Sequence, residues 1–384
     1  MTSTTETDRI TLYSNRVQRL RQTLAEGGLD ALVVTNPENR RYLSGFTGHD
    51  SGTDSAGALV ITSDDAVLIT DGRYIEQAEH EVAGLRIKKR EATLAPLLAE
   101  LLTVSQATST GFEATHLTVA LLEDFRHAAS AEQGESGQAV NLRATRALVE
   151  RQRVTKDALE IAAIERAVAI TDETFEHICG FLRAGLTERQ IAREIERYME
   201  ERGAEGLAFN SIVASGPNAA LPHAVPGNRQ IGEGEPITID MGAKLDGYCA
   251  DMTRTVCLGE PDPEMVKTYD LVLRAQETCL QGLRPGMNGK QADALARDVF
   301  SAAGREDQYL HSTGHGLGLE IHENPRLSKY GEESILAPGM AITIEPGLYV
   351  PDVGGVRIED TAIVTEEGIR ILTTSHKRFQ LPSK

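Results

Sequence analysis

Two acidic residues in the second half of the chain, Asp240 and Asp251, lie in strand-like segments on either side of an Asp-Gly turn. If residues 244–247 form the loop, the two side chains face each other, with Cβ atoms about 4.5–5.5 Å apart. Glu345 and Glu359 repeat this arrangement around a second turn. Like charges that face each other in a half-buried sheet are destabilising, and a bound cation relieves the conflict. The four carboxylates therefore predict a metal site.

The number and chemistry of these side chains indicate which metal is expected. Four carboxylates carry a charge that two divalent ions would neutralise. Imidazole ligands are available in a glycine-rich segment that contains His311, His315 and His322. No Glu follows His311, so the HExxH motif of zinc proteases is absent. Oxygen-rich ligation with one imidazole suits Mn²⁺, Co²⁺ or Zn²⁺, and the hard carboxylate oxygens favour Mn²⁺.

The elements that would position these residues occur twice. Residues 182–205 align without gaps to residues 283–306, and each copy contains the sequence of a helix capping box. An HxxP segment follows in both copies, at 223–226 and at 322–325, and an ITID or ITIE strand comes after it. Because the matches recur in the same order, they predict a duplicated helix–strand unit. Such a domain has pseudo-two-fold symmetry, and a site between its halves is expected.

The preceding part of the chain predicts a separate α/β domain. It begins with a helical pattern over Ser14–Glu26 and continues with alternating strand and helix signals, without a glycine-rich nucleotide-binding motif. The basic stretch 141–156 carries neither strand nor strong helix patterning. We therefore predict a first domain over residues 1–145, a linker over 146–156 and a second domain over 157–384.

Composition narrows the classes of partner and compartment. The chain of 384 residues has 39 basic and 57 acidic side chains, a net charge of −18, which disfavours nucleic acid as a partner. No apolar run is long enough to span a membrane, and the first residues do not form a signal pattern. Four cysteines in a chain of this length do not make a disulfide framework. We therefore expect a cytoplasmic protein.

Several segments resemble the signatures of a known family. DMG, DMTR, HSTGHGLGLEIHE, IEPGLY and GVRIED are similar to motifs of the pita-bread metallopeptidases, which include aminopeptidase P, prolidase, methionine aminopeptidase and the metal-free creatinase. NRRYLSGFTG and LITDGRY resemble the N-terminal domain of aminopeptidase P and prolidase, a domain that methionine aminopeptidases lack. The resemblance implies an α/β (α+β) protein, with a creatinase-type N-terminal α/β domain followed by a pseudo-two-fold pita-bread catalytic domain.

The resemblance also implies five metal ligands. Asp251 and Glu359 would bridge two divalent ions. Asp240 would complete the ligands of one ion, and His315 and Glu345 those of the other. Creatinase-like sequences replace these ligands, and all five are present here. This disfavours the two distant alternatives, a creatinase-type hydrolase and a non-catalytic peptide-binding protein.

Further roles follow from two-metal hydrolysis. Glu345 is expected to transfer a proton of the attacking water. His223 and His322 are expected to contact the substrate and to stabilise the tetrahedral intermediate. His311 either lines the substrate pocket or supports the ligands. Arg357 is expected to orient a ligand carboxylate at the edge of the substrate site.

The resemblance implies an Xaa-Pro aminopeptidase, which removes the N-terminal residue from peptides with proline in second position, and we expect a homodimer. The alternative is an Xaa-Pro dipeptidase, which needs a fixed cation for the carboxylate of its substrate. Arg73 and the Arg40-Arg41 pair of the first domain are candidates for that cation, although contacts within or between domains or subunits also explain them. We favour an open-ended site, which predicts that longer Xaa-Pro peptides are cleaved at least as well as dipeptides.

Overall fold

The computed structural model describes residues 6–50, 55–132 and 140–381. Contacts between residues divide the chain into two compact units, Met1–Arg153 and Val154–Lys384. Each unit buries its own apolar side chains.

A six-stranded mixed sheet with the strand order β4-β3-β2-β1-β5-β6 forms the first unit. Its buried face packs against α4 and α5, and the β2–β3 hairpin and the helical pattern over Ser14–Glu26 are confirmed. The strands are β1 Ala31–Val34, β2 Gly57–Thr62, β3 Ala66–Thr70, β4 Arg86–Lys89, β5 Ser109–Glu113 and β6 Asn141–Thr145. The helices are α1 Glu6–Glu26, α2 Pro37–Ser44, α3 Ile75–Glu81, α4 Leu94–Val104, α5 Val119–Glu132 and α6 Glu150–Arg153.

The segment 141–156, which has neither strand nor strong helix patterning in the sequence, contains a strand and a short helix. β6 pairs in parallel with β5, and the short helix α6 follows it. As an edge strand that is mostly exposed, β6 buries little side-chain surface, so it shows no apolar alternation that would reveal it in the sequence. Backbone hydrogen bonds to β5 hold it in place.

Two larger sheets, each packed against a pair of helices, form the second unit. Their strand orders are β20-β12-β9-β8 and β14-β13-β15-β18-β19. The helices are α7 Ala158–Phe181, α8 Glu188–Glu201, α9 Pro263–Gly282 and α10 Gly289–Ala302. The strands are β7 Gly206–Leu207, β8 Ile212–Ser215, β9 Ile237–Met241, β10 Ala243–Leu245, β11 Tyr248–Cys249, β12 Met252–Leu258, β13 Gly314–Gly316, β14 Glu323–Leu327, β15 Ala341–Ile344, β16 Gly347–Val350, β17 Gly354–Arg357, β18 Asp360–Val364, β19 Ile369–Ile371 and β20 Gln380–Leu381.

The predicted duplication is visible in the start of the second helix of each half. Thr187 caps α8 and Asn288 caps α10, each in a complete capping box with a Gln three residues later. One apolar core lies between α7, α8 and the first sheet, and a second lies between α9, α10 and the second sheet. The two halves therefore repeat the same helix–sheet packing.

The register of the first acidic hairpin differs from the prediction. Asp246 and Gly247 have φ angles of 48° and 77°, as a two-residue hairpin turn requires, so the loop is two residues long rather than four. As a result Asp240 lies opposite Thr253 instead of Asp251. A shift of two residues keeps every side chain on its predicted face, because side chains alternate with a period of two.

The predicted register of the second acidic hairpin is confirmed. β15 pairs with β18 from Ala341↔Ile363 to Ile344↔Asp360, and β16 pairs with β17 in the same register. Glu345 and Glu359 lie at the interruption between these two ladders.

In the described ranges, none of the helices has the length and apolar character of a membrane span.

Candidate metal centre

Acidic and imidazole side chains from four strand ends meet in one cluster. His315 Nε2 lies 3.5 Å from Asp251 Oδ2 and 3.4 Å from Glu345 Oε1. Ligand atoms of Asp251, His315 and Glu359 all lie within 4.8 Å of one another. Asp240, at the end of β9, is linked to the cluster through Arg357. The structure thus brings together the residues predicted to bind metal.

The backbone around these residues is fixed by hydrogen bonds between separate strands. Glu345 N donates to Thr313 O (2.7 Å), and Glu359 N donates to Thr253 O (3.0 Å). Thr253 Oγ1 donates to Glu359 Oε2 (2.7 Å). Because Glu345 and Glu359 lie where their own ladder is interrupted, their backbones are free to bond to neighbouring strands. These hydrogen bonds therefore fix where the two glutamates enter the cluster.

The hydrogen bonds of the cluster fit a cation. His315 Nδ1 lies 3.0 Å from Gly316 O, an acceptor, so the proton is on Nδ1 and the lone pair of Nε2 points at carboxylate oxygens. Among the described residues, neither Asp240 Oδ1 nor Glu359 Oε1, both buried, has a hydrogen-bond partner. Buried carboxylate oxygens without donors are costly. Divalent ions held by these residues would satisfy the carboxylate oxygens and the Nε2 lone pair, so the residues fit the metal site predicted from the sequence.

The electrostatics of the cluster lead to the same conclusion. Burial, together with the neighbouring carboxylates, raises the pKa of Asp251 and of Glu359 well above the usual range. Burial also raises the pKa of Glu345 to about 7, although Arg357 opposes the shift. These carboxyl groups hold protons unless positive charge replaces them.

Arg357, predicted to orient a ligand carboxylate, is buried and contacts four groups around the cluster. Nη2 donates to Asp240 Oδ2 (2.7 Å), and Nε donates to Thr253 Oγ1 (3.0 Å), which in turn donates to Glu359. Nη1 donates to Tyr349 Oη (2.7 Å) and to Pro222 O (3.3 Å). This side chain therefore connects two of the acidic residues with the backbone next to His223.

The three other histidines predicted at the site, His223, His311 and His322, differ in their environment. His311 has both ring nitrogens engaged, with Tyr349 Oη at 2.7 Å and Ser312 O at 2.8 Å, and burial lowers its pKa to about 3. His322 is exposed, and its ring lies 4.5 Å from that of His315. His223 is exposed and lies close enough to His322 and Glu345 to interact electrostatically with both. His223 and His322 thus border the cluster, whereas His311 packs behind it.

Two residues near the cluster were missed in the sequence. Tyr349 lies between Arg357 and His311, and only its position in the second hairpin could have indicated it. Arg326 is exposed and pairs with His315 across β13 and β14, which places both side chains on one face of the sheet. Burial lowers the pKa of His322, and the charge of Arg326 adds to this shift. Arg326 stands four residues after His322, a signal that was available.

The arginines predicted from the first domain have partners within the first unit. Arg40 is completely buried and forms an ion pair with Asp50 at 2.8 Å. Arg73 is half exposed and forms an ion pair with Asp71, also at 2.8 Å. Arg40 therefore has a structural role in this unit.

Both units of the chain match models of known protein families. Residues 162–366 match the model of metallopeptidase family M24, and residues 16–155 match the creatinase/prolidase N-terminal domain. The chain is 34% identical to an Xaa-Pro dipeptidase of Pyrococcus furiosus, over 95% of this chain and 99% of the relative.

Solved structures are similar along the whole chain. An Xaa-Pro dipeptidase from Bacillus anthracis matches with a TM-score of 0.90 and 38% identity, over 96% of this chain and 99% of that one. An X-Pro aminopeptidase from Thermotoga maritima matches with a TM-score of 0.82 and 33% identity, over 92% and 98%. The similarity therefore includes both units and both kinds of Xaa-Pro peptidase.

Proposed function

The chain belongs to metallopeptidase family M24, and from this premise we propose that it is a metal-dependent Xaa-Pro dipeptidase, which cleaves a dipeptide before its C-terminal proline. The cluster of carboxylates around His315 Nε2 carries the proposal of metal-dependent hydrolysis. Full-length similarity to Xaa-Pro dipeptidases supports the dipeptide substrate. This reverses the order of the two sequence-based alternatives, because the relatives favour the dipeptidase over the aminopeptidase.

We assign two divalent ions, Mn²⁺ in the first instance, to the five clustered residues. Asp251 and Glu359 would be shared by both ions, Asp240 would complete the ligands of one, and His315 and Glu345 those of the other. When bound, the ions supply a water of lowered pKa and polarise the substrate carbonyl.

The surrounding side chains then have distinct tasks. Glu345, held among the proposed ligands, is suited to accept a proton from the attacking water and to return it to the leaving nitrogen. His223 and His322 border the cluster and are suited to donate hydrogen bonds to the reacting carbonyl or nitrogen. Arg326, on the same face as His315, supplies the fixed cation that a dipeptidase needs for the substrate carboxylate.

The second candidate function is an Xaa-Pro aminopeptidase, favoured by the similarity to the enzyme from Thermotoga maritima. Both activities use the same metal ligands. They differ in whether the carboxylate that follows proline is recognised, so substrate length separates them.

The test measures hydrolysis of Gly-Pro and Ala-Pro-Ala in parallel with Mn²⁺ present. We expect Gly-Pro to be the better substrate, and Arg326→Ala to lower its kcat/KM by about 10- to 100-fold, the cost of one charge-assisted hydrogen bond. Arg73→Ala is the matched control and should change both rates by similar factors. Faster cleavage of Ala-Pro-Ala by the unsubstituted protein would instead identify an aminopeptidase.

We further propose a cytoplasmic homodimer. The four cysteines Cys179, Cys249, Cys257 and Cys279 are free thiols, which suits a reducing compartment. Sedimentation equilibrium of the metal-loaded protein tests the oligomeric state.

A further inference from the structure

The loop that carries His223 is attached at both ends to one buried carboxylate. Glu188, at the start of α8, is completely buried. Its Oε1 accepts hydrogen bonds from Ser215 N (2.9 Å), Ser215 Oγ (3.0 Å) and Asn218 Nδ2 (3.0 Å). Its Oε2 accepts from Asn218 Nδ2 (3.2 Å) and Gly227 N (3.1 Å). Ser215 and Asn218 precede the loop and Gly227 follows it, so one side chain joins its two ends.

The segment beside His223 has little apolar anchoring. Leu221 and Val225, on either side of His223, are 58% and 86% exposed, and the buried apolar contacts of the loop come from the small side chains of Ala219 and Ala224. Arg357 Nη1 donates to Pro222 O at 3.3 Å. The position of His223 therefore depends on these contacts and on the fixed ends of the loop.

Helix capping does not account for Glu188. Thr187 already caps α8 and forms a complete capping box with Gln190. A buried carboxylate is costly unless donors surround it. Here the donors are the residues at the two ends of the His223 loop.

In the other half of the duplicated domain, the corresponding segment is held without a carboxylate. In the repeat alignment Gly289 stands at the position of Glu188. The backbone of β14 packs directly on Gly289, where a Cβ would lie 1.9 Å from Arg326 O. Close backbone packing thus holds the strand that follows His322. The half that carries His223 lacks this packing and contains Glu188 instead.

We propose that Glu188 is a positioning residue for His223, which holds the loop over 219–226 so that the imidazole points at the substrate. The proposal rests on the proposed peptidase function, because it assigns His223 a contact with the reacting groups. Glu188 itself does not touch the substrate.

The test is a double-mutant cycle with Glu188→Gln and His223→Ala in the Mn²⁺-loaded protein. The amide of Gln turns a donor toward Gly227 N or Asn218 Nδ2, so one end of the loop is released. We expect kcat for Gly-Pro to fall by about 100-fold in Glu188→Gln, the effect of a misplacement of about 1 Å, with KM and bound metal little changed. In the His223→Ala background the same substitution should cost no more than about twofold. Asn218→Ala, a milder variant that leaves the carboxylate in place, should produce a smaller loss of the same kind.

Glu113→Gln is the matched control. Glu113 is a buried carboxylate of the first unit that accepts from Thr35 N and Asn36 N, both at 2.7 Å. It should lower thermal stability without changing kcat. Deuterium uptake of residues 219–226 should rise in Glu188→Gln and not in Glu113→Gln.

Independent, multiplicative losses in the double variant, or unchanged deuterium uptake of the loop, would overturn the proposal. If the unsubstituted protein hydrolyses no Xaa-Pro peptide, the proposed function fails, whereas the deuterium-uptake comparison still decides whether Glu188 holds the loop.

Discussion

His315 and His322 lie 4.5 Å apart between ring centroids, yet only His315 directs a ring nitrogen at the carboxylates. We therefore predict that His322→Ala keeps its metal content near that of the unsubstituted protein while kcat falls. Loss of one donor to the transition state costs about 10²–10³-fold. Elemental analysis combined with steady-state kinetics on Gly-Pro measures both quantities. A variant that loses metal would show that His322 is a ligand.

The raised pKa values of the carboxyl groups predict how the metal-free protein responds to pH. Burial raises the pKa of Glu345 to about 7 in the folded state, above its ordinary value of 4.5. The folded state therefore binds the proton more tightly than the unfolded state, so the stability that this group contributes is present below pH 4.5 and is lost as the pH rises through about 7. Asp251 and Glu359 shift in the same direction.

Thermal unfolding of the chelated protein should accordingly show a Tm that falls between pH 5 and pH 8, and added Mn²⁺ should raise the Tm most at the upper end of this range. A Tm of the metal-free protein that rises over the same interval would contradict the assignment of these buried carboxyls.

Arg357, on strand β17, links the ends of several other elements by hydrogen bonds to Asp240, Thr253 and Tyr349. Lysine cannot reproduce these contacts, because its ammonium group is a single point rather than a planar fork. We predict that Arg357→Lys lowers the affinity for Mn²⁺ by about 10- to 100-fold, the usual cost of losing a residue that orients ligands. Isothermal titration of the metal-free protein measures this affinity.

Arg40→Lys is the control for that titration. Arg40 is likewise buried, and it donates hydrogen bonds to Thr35, Gly57 and Asp50 of the first unit. Its substitution should reduce thermal stability and leave Mn²⁺ affinity unchanged. Equal effects of the two substitutions on affinity would remove the specific role of Arg357.

For single strands, the sequence predicted which side chains share a face of the sheet better than which residues pair across neighbouring strands. Alternation placed Asp240 and Thr253 on the correct face even though the predicted loop was two residues too long. The φ angles of Asp246 and Gly247 decided the register, and both residue types are typical of such turns. Strand β6 could not be recognised, since hydrogen bonds of the backbone, rather than buried side chains, hold it at the sheet edge.

For the whole molecule, the predicted fold class is confirmed: a creatinase-type N-terminal α/β domain precedes a pseudo-two-fold pita-bread domain. The internal repeat predicted the pseudo-two-fold symmetry, because duplicated capping boxes and strands specify a duplicated architecture, and the resemblance to family motifs supplied the two domain types. Substrate length could not be derived in the same way. In the proposed function it depends on a single cation, for which we propose Arg326, and the position of Arg326 opposite His315 follows from strand pairing and not from local sequence.

The proposed peptidase activity requires metal held by five residues that are far apart in sequence. The most direct test titrates the chelated protein with Mn²⁺ while bound metal and Gly-Pro hydrolysis are followed together, in the unsubstituted protein and in Asp251→Asn. We predict that hydrolysis reaches its maximum with two ions per chain in the unsubstituted protein. An amide cannot bridge two cations as a carboxylate does. We predict that Asp251→Asn binds less metal and stays inactive. Full hydrolysis by the chelated protein, or by Asp251→Asn with two ions bound, would contradict the account.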